Sequence, residues 1–157
     1  LDKLDRGDND MVALVLACAG LKRLGLEGRI TRAFEVDEML PAVGQGALAL
    51  EHRIGDTRVA EALSSLDCPE TRWATCAERS FLAGLEGGCQ VPIGGHAVVR
   101  GDVLHLSGYV SGVDGRDVLR HEVSGPLRDA KEIGHGLSEA MVRDGAKATL
   151  EAGRVEG

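Results

Sequence analysis

The chain has 157 residues, a mass of 16.5 kDa and a net charge of −7 from 18 basic and 25 acidic side chains, a balance that disfavours a general nucleic-acid or anionic-membrane surface. Hydrophobic residues make up 43% and charged residues 27%, which excludes a disordered chain. Only Phe34, Trp73, Phe81 and Tyr109 are aromatic, so the core is aliphatic, and 22 glycines without a three-residue period exclude collagen.

In chain order, residues 1–8 read as the tail of a helix ending at Gly7. Asp10 to Cys18 is a continuous apolar stretch whose length and β-branched content predict a strand buried on both faces, as in a parallel sheet. At nine residues, Met11 to Ala19 is too short to span a bilayer. Leu21 to Leu26 make a helical turn closed by glycines, and short strands are expected at Ala33–Val36 and Ala47–His52 around a turn-rich loop, Pro41–Gly46. Asp56 to Leu66 has helical spacing at Val59, Leu63 and Leu66. A longer helix starts near Asp67-Cys68-Pro69-Glu70, with Asp67 as the expected cap. Trp73, Ala77, Phe81 and Leu85 form its buried stripe.

A glycine-rich loop, Gly87 to Gly95, follows, and then three strands at His96–Arg100, Val103–Val110 and Val118–Val123. Leu104, Leu106, Gly108 and Val110 alternate with polar or amphipathic neighbours, and Gly101-Asp102 predicts a tight hairpin. Pro126 opens a helix with Leu127, Ala130, Ile133, Leu137, Ala140 and Met141 on one face; Asp144-Gly145 breaks it before a last piece, Ala146–Ala152. From residue 67 the order is that of a self-contained α+β unit. Residues 1–66 lack partners for a parallel sheet, and the chain starts at Leu1, so the reading expects a piece of a longer protein.

Cys18, Cys68, Cys76 and Cys89 make no C-x-x-C or zinc-finger pattern, and with no secretory signal ahead of them they are expected to be reduced thiols of a cytoplasmic protein. Cys18 and Cys76 read as small buried hydrophobes. The five histidines show no metal-ligand spacing, so no metal is expected. Three local features carry chemistry. In Leu85-Glu86-Gly87-Gly88-Cys89-Gln90-Val91-Pro92-Ile93-Gly94-Gly95, Cys89 is either an exposed nucleophile that glycines let a bound group approach, or an incidental loop cysteine. In Gly20–Leu26, Arg23 is either a bidentate carboxylate clamp beyond a strand end or half of a solvated basic pair. In Pro41–Leu48, Gln45 either aims an amide at a ligand or belongs to a plain turn; its G-x-G is too short for a dinucleotide fingerprint.

Taken together these segments resemble the porphobilinogen deaminase (hydroxymethylbilane synthase) family. AGLKRLGL at 19–26, PAVGQGAL at 41–48, AERSFLAGLEGGCQVPIG at 77–94 and DGAKATL at 144–150 match it in order and spacing, and E-G-G-C-Q-V-P-I-G is the most specific of them. LDKLDRGDND at the start is similar to the family's segment after an arginine-rich stretch, and Met11-Val12 reads as a small insertion. The resemblance implies the C-terminal half of a three-domain transferase. Residues 1–40 then belong to the second α/β domain, and residues 41–66 to a hinge and the return segment of the first. Both are remnants of doubly wound domains like those of periplasmic binding proteins. Residues 67–157 form the α+β cofactor-attachment domain, with a three-stranded antiparallel sheet and helices.

The family condenses four porphobilinogen molecules stepwise, with loss of ammonia, on a dipyrromethane primer held by a thioether. The resemblance places that thioether on Cys89 and makes Arg23, Gln45, Gly46 and the backbone at Ala17 binding positions for the primer and the growing polypyrrole. It places no catalytic residue in this half, since the family's aspartate, its lysine and most of its arginines lie in the N-terminal half. That half is therefore an implied partner of an acidic chain that binds a polyanion. Further implications are a monomeric full-length enzyme in the cytoplasm, with neither nucleic acid nor membrane as a partner.

Overall fold

The computed structural model describes residues 1–7, 10–85 and 92–152, which fall into two compact units, Leu1–Glu38 and Met39–Gly157. The first unit holds helices α1 (Asp2–Arg6) and α2 (Cys18–Arg23) and a 3-10 turn at Glu27–Arg29. Gly7 ends α1 in the left-handed region, with φ 66°, and its N–H donates to the Leu4 carbonyl. An ion pair between Arg29 and Asp5 spans this unit.

Three expected strands do not form. Residues 11–17 have no regular structure, Cys18 opens α2, and neither 33–36 nor 47–52 is a strand. The reason is pairing: a strand satisfies its N–H and C=O groups only against a neighbour, and among the described residues the one sheet is antiparallel and built elsewhere. The apolar side chains of the stretch are correspondingly open, Val12 to 95%. No described residue before Ala77 is fully buried.

The second unit carries α3 (Thr57–Ser64), α4 (Pro69–Gly84), β1 (Ile93–Arg100), β2 (Val103–Val110), β3 (Leu119–Pro126), α5 (Ala130–Arg143) and α6 (Ala146–Ala152). Asp56 caps α3, its carboxylate accepting the Val59 N–H at 3.1 Å. At α4 the expected cap is displaced: Cys68 occupies the N-cap, and the Asp67 carboxylate pairs with Arg72 instead. Pro69 stands where a helix start tolerates a missing N–H.

The sheet order is β1-β2-β3, antiparallel throughout, with Arg100 opposite Val103 across the Gly101-Asp102 turn. Gly101 has φ 61°, as the first position of such a two-residue loop requires. Leu104, Leu106, Gly108 and Val110 face inward, so the alternation read in β2 is the observed one. That face packs on α4 and α5, whose buried apolar residues are Ala77 and Phe81, continued by Leu85 at the C-cap of α4, and Ala130, Ile133, Leu137 and Met141. Two glycines set the spacing. A Cβ at Gly134 would fall 2.2 Å from the Ala77 carbonyl oxygen, and one at Gly108 would fall 2.7 Å from Phe81 Cζ. α4 and α5 therefore cross closely, and the Phe81 ring packs against the sheet at Gly108 and Gly95. The arrangement is a small α+β layer with one aliphatic core and a single deeply buried aromatic ring.

Candidate functional site

The second unit assembles its site from α4 outward. Ala77 and Phe81 are fully buried and fix the helix, so the residue between them in the helical pattern, Glu78, turns inward as well and is only 5% exposed. Among the buried described residues it is the one with a charge. Its carboxylate is satisfied by two backbone donors: Oε2 accepts the Gly44 N–H at 2.7 Å and Oε1 accepts the Ala97 N–H at 2.8 Å. His96 Nδ1 stands 3.9 Å from Oε1.

Those two donors belong to different segments. Ala97 lies on β1, on the side away from β2, and Gly44 lies in the Pro41–Gly46 loop. The loop runs along that same side of β1, where the Gly95 N–H donates to the Pro41 carbonyl at 2.9 Å. Contact is close enough that a Cβ at Gly94 would meet the Leu40 carbonyl oxygen at 3.0 Å, and one at Gly95 would meet Val43 Cγ2 at 3.0 Å. Gly44 has φ 71°, a conformation that side chains oppose, and it begins a second turn closed by the Ala47 N–H on the Gly44 carbonyl. Gln45 is thereby presented on an exposed corner, with its side-chain amide uncommitted among the described residues. Gln45 and Gly46 line a cavity of about 350 Å³ together with Ala74, Thr75, Glu78 and His96. A neighbouring cavity of about 500 Å³ is lined by His52, Leu63, Cys68, Arg72 and Arg79.

In the first unit Arg23 is the last residue of α2, exposed, and without an ion pair among the described residues. Ala17 is the N-cap of the same helix, and its carbonyl accepts the N–H groups of Gly20 and Leu21 at 3.0 and 3.3 Å. The structure thus brings Arg23 and Ala17 to one helix and Gln45 and Gly46 to one cavity, while Cys89 lies outside the described residues. Cys18, Cys68 and Cys76 are free thiols. Cys18 and Cys76 are half-buried rather than enclosed. Among the described residues no three His, Cys, Asp or Glu side chains converge as metal ligands, and no helix is long and apolar enough to cross a membrane.

Glu78 is the residue the sequence patterns passed over. The signal was present: a carboxylate three residues before Phe81 and next to Ala77 lies on the buried side of an amphipathic helix, where a charge persists only if it is hydrogen-bonded.

Two family models match the chain. Residues 1–61 match "Porphobilinogen deaminase, dipyromethane cofactor binding domain", and residues 73–143 match "Porphobilinogen deaminase, C-terminal domain". A curated porphobilinogen deaminase from Pelobacter propionicus is 44% identical over 149 residues. The chain belongs to the porphobilinogen deaminase family. That alignment takes in 95% of this chain and 47% of the relative, so the chain spans about half the length of the curated protein it matches. Within the family frame, Ala17, Arg23, Gln45 and Gly46 fall in the cofactor-binding match, and Glu78 and Cys89 in the C-terminal one.

Proposed function

We propose that this chain is the C-terminal part of a hydroxymethylbilane synthase. In that enzyme Cys89 holds a dipyrromethane primer as a thioether, and porphobilinogen units are added in turn with loss of ammonia. The observation that carries the reading is family membership across both matched domains, with Glu86-Gly87-Gly88-Cys89-Gln90-Val91-Pro92-Ile93-Gly94 inside the second. When bound, the dipyrromethane supplies the free pyrrole position from which the chain grows.

The donor set of the described residues fits such a group. Each pyrrole bears an acetate and a propionate, and Arg23 is a guanidinium at a helix end with no ion pair among the described residues. Its fork can give two parallel N–H bonds to one carboxylate. The uncommitted Gln45 amide offers donor and acceptor together, and Gly46 leaves the backbone open beside it. Ala17 contributes backbone at the start of the helix that bears Arg23.

In this reading residues 1–40 are part of the second α/β domain and residues 41–66 the hinge and return segment of the first. Both derive from doubly wound domains of the periplasmic-binding-protein kind, and residues 67–157 form the cofactor-attachment domain. The proton-handling carboxylate and most cationic side chains come from the N-terminal half, which is why an acidic chain serves a polyanionic product. The full-length enzyme is a cytoplasmic monomer, and residues 1–157 alone are a cofactor-carrying part without turnover.

Intact mass and ammonia release test this. Full-length protein is expected to exceed its chain mass by two pyrrole units, and Cys89→Ser to lose the thioether adduct and the turnover with it. Turnover by protein whose Cys89 titrates as a free thiol would overturn the reading. Sustained ammonia release by residues 1–157 alone would overturn the dependence on the other half.

A further inference from the structure

We propose that Glu78 is a positioning residue, which locks the Gln45 loop to β1 and so sets where the Gln45 amide stands. This rests on the reading of Cys89 and Gln45 given above. β1 begins at Ile93, shortly after Cys89 in sequence.

The lock has a specific chemistry. A carboxylate presents acceptors only, and here each oxygen takes one backbone N–H, Gly44 on one side and Ala97 on the other. Charge-assisted bonds of this kind are shorter and stronger than neutral ones, and the distances of 2.7 and 2.8 Å suit them. A glutamine has the same shape but must turn its NH2 toward one of the two donors, so it can hold Gly44 or Ala97 but not both. The carboxylate itself cannot drift, because Ala77 and Phe81 on either side of it are fully buried. Gly44 immediately precedes Gln45, so release of that N–H frees the corner that presents the amide. Packing supports the same junction at its other end, where Gly94 admits the Leu40 and Pro41 carbonyls.

A double-mutant cycle in the full-length protein tests the coupling. Glu78→Gln is expected to stay folded and to carry its two pyrrole units, while kcat/KM for porphobilinogen falls roughly ten- to hundredfold, as for a misplaced substrate-contacting group. Gln45→Ala is expected to cost a similar factor. If Glu78 acts through Gln45, the double variant lies within about twofold of Gln45→Ala alone, since residues acting as one unit are not additive.

Wild-type-like kinetics of Glu78→Gln, or losses that multiply in the double variant, would overturn the proposal. Should Glu78→Gln not fold, the decision passes to Gly94→Ala, which presses on Leu40 and Pro41 and is expected to show the same non-additivity with Gln45→Ala. If neither variant folds, Glu78 and the junction are purely structural and the proposal fails. Wild-type protein that bears no pyrrole on Cys89, or does not consume porphobilinogen, overturns the functional reading itself and this inference with it. The two failures are therefore told apart by the wild-type control.

Discussion

At the scale of single residues, Cys68 shows how a helix start changes a thiol. Its sulfur stands just before α4, and the Thr71 hydroxyl first, then the Thr71 backbone N–H, hold its pKa below the ordinary 9.0. The thiolate is the reactive form. Alkylation of Cys68 by iodoacetamide is therefore expected to set in at lower pH than for an ordinary thiol, while half-buried Cys76 reacts slowly. Thr71→Val removes the leading cause and moves the onset of Cys68 alkylation upward. Peptide mass spectrometry across a pH series reads this directly, and an unmoved onset in Thr71→Val would contradict the assignment. The sign for stability follows. A thiol that ionises more readily when folded contributes at high pH, and that contribution fades as pH falls through the folded value.

At the scale of elements, the crossing of α4 and α5 makes a sharper test. Gly134 faces the Ala77 carbonyl, Ser80 Cβ and the Phe81 N, mostly backbone that cannot rotate away. Gly134→Ala is expected to lower stability by about 1–3 kcal/mol despite its gain in helix propensity. Gly136 on the same helix faces open space, so Gly136→Ala should be neutral or stabilising by up to ~1 kcal/mol. Urea unfolding of the two variants separates packing from propensity, and equal midpoints would contradict the close crossing.

The same elements show what was legible in the sequence. The four-residue stripe of α4, the alternation of β2 and the break at Gly145 are local signals, and the structure follows them. The run from Asp10 to Cys18 has equally strong local preference but forms no strand, because strand formation depends on a pairing partner that no local pattern supplies. Asp67 had the composition of a cap, yet Arg72 offered it a full charge and Cys68 took its place. Arg23, Gln45 and Gly46 could be singled out from their loops. Glu78 could not be understood without seeing that two distant N–H groups, at Gly44 and Ala97, converge on it.

At the scale of the whole molecule, every fully buried side chain among the described residues lies between Ala77 and Leu150. A cooperative core needs little else, since burial supplies most of the stabilisation. Residues 67–152 expressed alone are therefore expected to unfold in a single thermal transition, with a near-ultraviolet dichroism signal from half-buried Trp73. A gradual melt without that signal would show that the first 66 residues are needed to order the core.

The loop laid along β1 has a consequence for the protein's behaviour in a crowded solution. A sheet's outermost strand offers unpaired backbone groups that can template a foreign strand, a common route to aggregation. Here the Gly95 N–H is spent on Pro41 and the Ala97 N–H on Glu78, so the junction that presents Gln45 also blunts one rim of the sheet against self-association.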